Sequence, residues 1–409
     1  MERIRRWAID PALVFTALGL SIFGVAMIYS AGVVNSPGSF VTGIWVRQAT
    51  WLGVSMVAFS VVSRVPLRWF EWAAIPGYVL ATVLLAITLI IGTGAGTAAG
   101  TKSFIGIGSF GFQPAELAKL ATALALGRVL ATREVATNLR QLLIPSLLVG
   151  LPMLLILQQP DLGSALAFVG ILFAALFWAG TPFVLLVLLA SPGAALILTF
   201  DTRVWSAYFI LLAGFLYWQR FRLFFVESVA VLLANLSSGV IALPLWASLG
   251  EYQRNRLLVF LDPSIDPRGV GYHLTQSKIA IGSGELFGKG FTDGTQKALD
   301  FLPEQHTDFI VAVVGEELGF IGVALLVLAF GFFLSRLVRM AQKAQDPFAG
   351  LVAFGIFGAW LVHVFVNMGM TVGLVPITGI PLPFVSYGGT FLLVCWVAVA
   401  MVARLAHET

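Results

Sequence analysis

Runs of about 20 apolar residues recur along the whole chain, each long enough to cross the hydrocarbon core of a bilayer as an α-helix. The alternating segments of about 10 residues that a membrane β-barrel requires do not occur in the sequence. The pattern therefore predicts an all-α polytopic membrane protein. Its twelve candidate spans are 10–31, 45–64, 71–94, 114–131, 141–158, 161–179, 182–200, 204–219, 223–246, 307–334, 348–374 and 385–405.

The composition fits a lipid environment and argues against a water-soluble domain. Of the 409 residues, 59% are hydrophobic and 11% are charged, and the mean hydropathy is +0.94, whereas a soluble domain carries about 25% charged residues. The net charge of +4 arises mainly from basic residues in the connecting loops, so nucleic-acid binding is not expected. The single cysteine, Cys395, excludes an intramolecular disulfide and a cysteine-rich metal site.

Basic residues in the short loops orient the chain, because cytoplasmic loops are enriched in Lys and Arg. On the other side, loop 32–44 has no charge and loop 95–113 has only Lys102. We therefore expect both termini in the cytoplasm and a first span that is retained rather than cleaved as a signal peptide. The residues on the cytoplasmic side are Arg3, Arg5, Arg6, Arg64, Arg68, Arg128, Arg133, Arg140, Arg220, Arg222, Arg336, Arg339 and Lys343.

One long polar segment, 247–306, mixes acidic and basic residues. Most helix connections span about 2–8 residues, so a segment of this length does more than connect. Residues 271–281 have the pattern of a short amphipathic or re-entrant helix, and the glycines at 282–290 interrupt regular structure. Irregular backbone near membrane depth is tolerated where it lines a cavity. We expect a polar pocket that opens on the non-cytoplasmic side.

Acidic residues in the loops allow two interpretations. Asp262 and Asp266 each precede a proline in LDPSIDPRGVGY, and Asp-Pro pairs form turns. Spacing alone favours that interpretation over a general base at a membrane-facing cleft. Asp161 is interpreted as a cap at the start of the sixth span, and the Pro- and Gly-rich segment 376–390 as an irregular turn before the last helix.

Ionisable residues also lie inside predicted spans, where a charge needs an interior partner or a watery cavity. Glu116 and Lys119 are three residues apart on one helical face, and they predict an internal ion pair, a functional cavity or both. The other residues of this kind are Glu316 and Glu317, which need similar partners, and His363 and Asn367, which indicate hydrogen bonds between helices.

Motifs of several other enzyme classes are absent from the sequence, including a P-loop, an HExxH motif and a Ser-His-Asp order. Four motifs instead resemble, in family order, those of the SEDS glycosyltransferases (shape, elongation, division and sporulation proteins). They are QPAELAK (113–119), QQPDLGSA (158–165), the long loop run 260–319 and GIPLPFVSYGGT (379–390). Within the loop, GYH, QSKIAIGSG and GTQ are more similar to the elongation branch (RodA) than to the division branch (FtsW).

The resemblance implies a helical bundle in the bacterial inner membrane that polymerises lipid II into peptidoglycan strands beside a class B penicillin-binding protein. It implies that Asp266 is the general base and that undecaprenyl diphosphate leaves. Lys119, oriented by Glu116, is the first candidate to bind the leaving diphosphate, and no protein-bound metal is predicted, although a divalent cation stays open as a cofactor. Further diphosphate candidates are Arg254, Arg256, Lys102 and Arg47, and secondary candidates are Asp262, Glu316, Glu317 and His306.

Two features depart from the family pattern. Relatives have about ten core helices, and here 200–246 is predicted to be an inserted helical pair within a single membrane domain, 1–409. Glu285 stands where relatives carry glycine. Two other function classes remain open: a lipid II flippase, which suits a charged cavity at the midplane, and a scaffold that only recruits the transpeptidase. The long loop with its carboxylates favours polymerisation.

Overall fold

The structure is a computed structural model that describes residues 10–34, 43–94, 102–107, 110–219, 225–267, 269–299, 301–302 and 304–405. Helices form at all twelve predicted positions, and three more lie in the long polar segment. Arg3, Arg5, Arg6, Arg220 and Arg222, which support the predicted orientation, lie outside the described residues. In chain order the helices are α1 (Pro11–Ala31), α2 (Ile44–Val62), α3 (Leu67–Ile91), α4 (Pro114–Ala131), α5 (Leu139–Gln158), α6 (Leu162–Trp178), α7 (Phe183–Leu198), α8 (Thr202–Trp218), α9 (Phe225–Ser248), α10 (Glu251–Leu261), α11 (Val270–Ser283), α12 (Thr295–Ala298), α13 (Ile310–Lys343), α14 (Pro347–Val372) and α15 (Gly389–Leu405).

The protein is a polytopic helical membrane protein. Within the described ranges, six helices are both long and apolar enough to cross a membrane, namely α1, α3, α5, α9, α13 and α14. The shorter helices α6, α7 and α15 are also apolar. Many apolar side chains on the outer faces are exposed, for example Ile90 and Leu211, as expected where helices meet lipid.

A short hairpin was not predicted. Strand β1 (Ile105–Ile107) pairs antiparallel with β2 (Phe110–Phe112) just before α4. The sequence there alternates large apolar residues with glycine, IGIGSFGF, which is a strand pattern. The pattern is too short to be distinguished from the helical runs around it. The all-α expectation therefore holds except for this hairpin.

The core lies around α14, which is buried along most of its length. It packs against α4, α6, α11, α13 and α15. Aromatic rings fill these contacts, as where Phe333 lies against Trp360 and Phe384. Because α14 contacts elements from both halves of the chain, it fixes the positions of the segments that meet at its C-terminal end.

Helix α13 is broken near its start. At Gly319 the backbone has φ 65° and ψ −165°, a conformation essentially restricted to glycine. The segment 285–290 docks at the break, where Phe320 N donates to the carbonyl of Glu285 at 2.9 Å. The prediction of one continuous span at 307–334 is therefore wrong in its interior. The docked segment supplies hydrogen bonds that a continuous helix would have made itself.

Two buried ion pairs fix the long polar segment to α13. Lys289 Nζ lies 2.7 Å from Glu316 Oε1, which also accepts from the backbone N–H groups at the start of α12. Lys297 Nζ lies 2.5 Å from Glu317 Oε1, and Ser30 Oγ donates to the same carboxylate. The expectation that both glutamates find interior partners is confirmed.

The predicted pair 200–246 forms α8 and α9. These helices share a second hydrophobic cluster with α7 that includes Leu186, Leu212 and Val231. A polar network lies inside it: Asn235 Nδ2 donates to Ser191 Oγ at 2.8 Å, and the Tyr208 hydroxyl donates to Asn235 Oδ1 at 2.9 Å. Since α9 packs mainly on α7, the pair extends the bundle at its edge.

Candidate functional site

Asp266 lies between a 3₁₀ turn and α11, and its carboxylate is held at the start of that helix. Its Oδ1 accepts from Gly269 N at 2.9 Å and its Oδ2 from Val270 N at 3.0 Å, with Asn255 Nδ2 at 3.4 Å from Oδ2. The residue is half-buried. Each carboxylate oxygen can accept more than one hydrogen bond, so the group is oriented and can still accept from a ligand hydroxyl.

Two glycines allow this geometry. A Cβ on Gly269 would lie 2.4 Å from Asp266 Oδ2, and a Cβ on Gly271 would lie 2.2 Å from the carbonyl of Pro263 and 2.5 Å from that of Asp266. Any other residue at either position would displace the turn. The motif Asp-Pro-x-Gly-x-Gly is therefore a structural unit that presents one carboxylate.

Six ionisable residues from four parts of the chain face one another at the end of the bundle that carries the long segment. Asp161 Oδ2 accepts from Gln113 Nε2 at 3.1 Å, so the starts of α4 and α6 meet there. The other members interact electrostatically across α10, α11 and the segment before α13. We call this the loop-end cluster, and it comprises Asp161, Arg256, Asp266, His273, Glu304 and Asp308.

Asp308 was not singled out by the sequence analysis. It is half-buried two residues before α13. Burial raises its pKa to about 7, Glu304 and Asp161 act in the same direction, and Arg256 opposes them. An acid at the start of the predicted span 307–334 was the available signal, but it is equally typical of a helix cap. What distinguishes Asp308 is its tertiary surroundings, because Asp161 and Arg256 come from distant segments.

His273 on α11 is also part of the cluster. Burial lowers its pKa, and Arg256 acts in the same direction, against Glu304 and Asp266. Its ring meets Phe309 edge-on, with centroids 6.2 Å apart. A lowered pKa favours the neutral imidazole at neutral pH, so His273 can donate or accept a hydrogen bond there without adding a charge.

The two candidate arginines of α10 have different surroundings. Arg254 donates through Nε to the carbonyl of Trp246 at 3.0 Å and through Nη2 to that of Ala247, so it caps the end of α9. Arg256 donates through Nη1 to the carbonyl of Thr378 at 3.1 Å and lies within the loop-end cluster. Of the two, Arg256 has the position to meet an anion beside Asp266.

Glu116 and Lys119 form the predicted ion pair, with 2.8 Å between Lys119 Nζ and Glu116 Oε1. Lys119 Nζ also lies 2.8 Å from His363 Nε2, and His363 Nδ1 lies 2.9 Å from the carbonyl of Pro381. An ammonium only donates and a carbonyl only accepts, so the imidazole carries its proton on Nδ1. These partners and the Phe391 ring, 5.7 Å away, surround the ammonium.

This ion pair lines a cavity of about 30 Å³ inside the bundle, room for roughly one water molecule. A diphosphate does not fit there. The hydrogen bond through His363 instead links the pair to residues 373–388, which we call the strap. The predicted hydrogen bond between helices is confirmed for His363, which meets Lys119 of α4. Asn367 Nδ2 donates instead to the carbonyl of Ile380 in the strap, at 2.7 Å.

The remaining candidates lie apart from these contacts or serve structural roles. Asp262 is exposed and caps the 3₁₀ turn, and the hydrogen bonds from Ser264 hold its pKa below the usual value. Lys102 is exposed and donates to the carbonyl of Leu89, and Arg47 is exposed. The His306 ring lies 5.7 Å from that of Tyr387. Among the described residues, no group of three His, Cys, Asp or Glu side chains is arranged to hold a metal ion.

Asp161 caps α6 as predicted, because its Oδ1 accepts from Ser164 N at 2.9 Å. The strap is irregular, also as predicted. It lies against the loop-end cluster through Gly379, whose φ of +73° favours glycine. The motifs at 113–119, 158–165 and 379–390 thus converge on the same end of the bundle as Asp266.

Comparisons with known proteins fit this geometry. The family model FTSW_RODA_SPOVE, described as a cell cycle protein, matches residues 11–228 and 202–409. The chain is 34% identical to the peptidoglycan glycosyltransferase MrdB of Escherichia coli (strain K12), over 94% of this chain and 90% of that protein. It is also 34% identical to FtsW of Geobacter metallireducens, over 99% of this chain and 96% of that protein. The elongation-branch assignment therefore stays a prediction.

A solved structure is also similar. It comes from work on the structural coordination of polymerization and crosslinking by a peptidoglycan synthase complex, and it covers 98% of this chain and 98% of its own chain. The TM-score is 0.71 and the sequence identity is 26%. With the family model spanning both halves of the sequence, the chain belongs to the FtsW/RodA/SpoVE family, the SEDS proteins.

Proposed function

We propose that this protein is a peptidoglycan glycosyltransferase that polymerises lipid II into glycan strands during cell elongation. The observation that carries the proposal is the oriented carboxylate of Asp266 beside a cluster containing Arg256 and His273. Relatives that match most of this chain are named peptidoglycan glycosyltransferases. We also propose the bacterial inner membrane as location, with both termini in the cytoplasm and the cluster on the outer face.

In the proposed reaction Asp266 removes the proton from the 4-hydroxyl of the acceptor N-acetylglucosamine. That oxygen attacks the anomeric carbon of the donor N-acetylmuramic acid, and a carbon–oxygen bond forms with inversion. The bond from the anomeric carbon to the diphosphate oxygen breaks, and undecaprenyl diphosphate leaves with the electron pair. The hydrogen bonds from Gly269 and Val270 fix the carboxylate toward the acceptor before the reaction.

The leaving diphosphate needs positive charge as it departs. Lys119 was the first candidate from sequence, but its enclosure by Glu116, His363 and Phe391 favours Arg256 for direct contact. The buried ion pair would then act indirectly. Through His363 and Pro381 it holds the strap, and Arg256 donates to the same strap at Thr378.

A partner is part of the proposal. We propose that a class B penicillin-binding protein binds this protein and cross-links the strands. The similar structure from a peptidoglycan synthase complex supports such an assembly. Lipid II and undecaprenyl lipid are the proposed membrane ligands, and their apolar chains would lie along the exposed helix faces.

The test is polymerisation of labelled lipid II by the purified protein with its transpeptidase partner. Replacing the base, Asp266→Asn, should lower the rate roughly 100- to 10,000-fold. The matched control is Asp262→Asn, in the same turn but exposed, which should keep the rate within a few-fold. Folding of each variant is checked by its melting temperature in detergent.

Other outcomes favour the alternatives. If Asp266→Asn polymerises normally, the aspartate is only a helix cap and the base lies elsewhere. If the wild-type complex makes no polymer but moves lipid II across vesicles, the protein is a flippase. If it neither polymerises nor transports yet binds the transpeptidase, it is a scaffold.

A further inference from the structure

Asp308 and Arg256 meet at one point of the strap. A Cβ on Gly379 would lie 3.2 Å from Asp308 Oδ2 and 3.6 Å from Arg256 Nη2, so both side chains lie against this glycine. Arg256 is fixed there by its bond to the Thr378 carbonyl. Asn367 Nδ2 donates to the Asp308 carbonyl at 3.1 Å and fixes the backbone that carries the acid.

The groups around Asp308 are mostly negative. Glu304 lies on its own segment, Asp161 at the start of α6, and Arg256 on α10, while α11 contributes Asp266 and His273 to the same cluster. Arg256 is thus the cation that stabilises the ionised form of Asp308. Burial and the neighbouring carboxylates favour its protonated form, and the balance leaves its pKa at about 7.

We propose that Asp308 is a positioning residue that interacts electrostatically with Arg256 in the empty site and takes up a proton when a diphosphate anion binds Arg256. The proposal rests on the proposed function, since it concerns the leaving group of that reaction. An anion at Arg256 removes the stabilisation of the Asp308 carboxylate and adds a repulsive charge. Protonation of Asp308 then removes a negative charge that would compete with the ligand for the guanidinium.

Linkage gives the sign of the pH dependence. If diphosphate binding raises the pKa of Asp308 above its starting value of about 7, binding is coupled to proton uptake and weakens as the pH rises through that value. Between about pH 6 and about pH 8.5 the dissociation constant should rise roughly tenfold. Ionisation of the diphosphate itself would strengthen binding over this range. Because this effect is the same for every variant, it cancels when the variants are compared.

The experiment measures binding of undecaprenyl diphosphate to the purified full-length protein in detergent across this pH range. In Asp308→Asn, which mimics the protonated acid, the rise should vanish and binding at high pH should be tighter than in the wild type. Asp293→Asn is the matched control, because it removes an exposed carboxylate of the same segment and should keep the wild-type pH dependence. Melting temperatures verify that each variant is folded.

Each contrary result has a distinct meaning. Wild-type binding that weakens with pH no more than binding by Asp308→Asn overturns the role of Asp308 and leaves the proposed function standing. A folded Asp308→Asn variant that keeps the wild-type rise shows that another group of the cluster titrates, and it also overturns the proposal. A wild-type protein that binds no undecaprenyl diphosphate at any pH contradicts the proposed function itself.

Discussion

At the scale of single residues, the turn that presents Asp266 depends on the absence of side chains at Gly269 and Gly271. In Gly271→Ala the new Cβ would meet the Pro263 carbonyl at 2.2 Å, so the turn must open, at a cost of about 3 kcal/mol in unfolding free energy. We expect a lower melting temperature and loss of polymerisation. In the control Gly282→Ala the Cβ meets open space on α11, and the helix should gain about 0.5–1 kcal/mol. Equal behaviour of the two variants would contradict this view of the turn.

The sequence located some of these residues and missed others for a physical reason. Asp266 and Glu116 stand in contiguous motifs, which a single sequence displays. Asp308 acquires its properties from segments far away in the chain, and the enclosure of Lys119 depends on His363 from α14. The departure at Glu285 also has a structural counterpart, since its φ of +49° lies in the region that favours glycine.

At the scale of secondary structure, the break in α13 is a built feature of the fold. In Gly319→Ala the Cβ would lie 2.3 Å from Gly288 N, and the backbone conformation is unfavourable for alanine. We expect the unfolding free energy to fall by about 3 kcal/mol or more. The measurement is the shift in melting temperature, with and without undecaprenyl diphosphate. Gly331→Ala, on the same helix with nothing near its Cβ, should melt at or slightly above the temperature of the wild type. A stable Gly319→Ala variant would mean that the helix can close the break.

Helix positions were predictable because length and apolarity are local properties, and all twelve predicted spans form helices. The break was not, because the apolar pattern predicted a single span over 307–334. Only the docking of 285–290 makes an interrupted helix favourable. The hairpin before α4 was not predicted because its strands have three residues each, which is too few for a periodic signal.

At the scale of the whole molecule, the chain divides into a main bundle that carries the loop-end cluster and an edge formed by α7, α8 and α9. The residues of the cluster all lie in the main bundle or the long segment. Besides α7, the pair contacts the bundle at Glu227, whose Oε1 accepts from Leu139 N at 3.0 Å. The two stretches matched by the family model overlap at 202–228, within the pair, and the assignment of the pair as an insertion stays a prediction.

Removal of the pair should therefore leave the chemistry intact. Deleting residues 201–243 takes out an even number of spans, so the long segment stays on the same side, and it keeps Trp246 and Ala247 for Arg254. Ser191 Oγ retains its own bond to the Leu188 carbonyl at 2.7 Å, so α7 keeps no unsatisfied hydroxyl toward lipid.

We expect the deletion variant to polymerise lipid II within about threefold of the wild type, a barrier change below roughly 0.7 kcal/mol. Adding Asp266→Asn to it should abolish synthesis, which shows that the residual activity comes from the same site. A folded deletion variant without polymer would place part of the substrate path on α8 or α9. The exposed apolar faces of the pair would then be a lipid groove rather than the edge of the bundle.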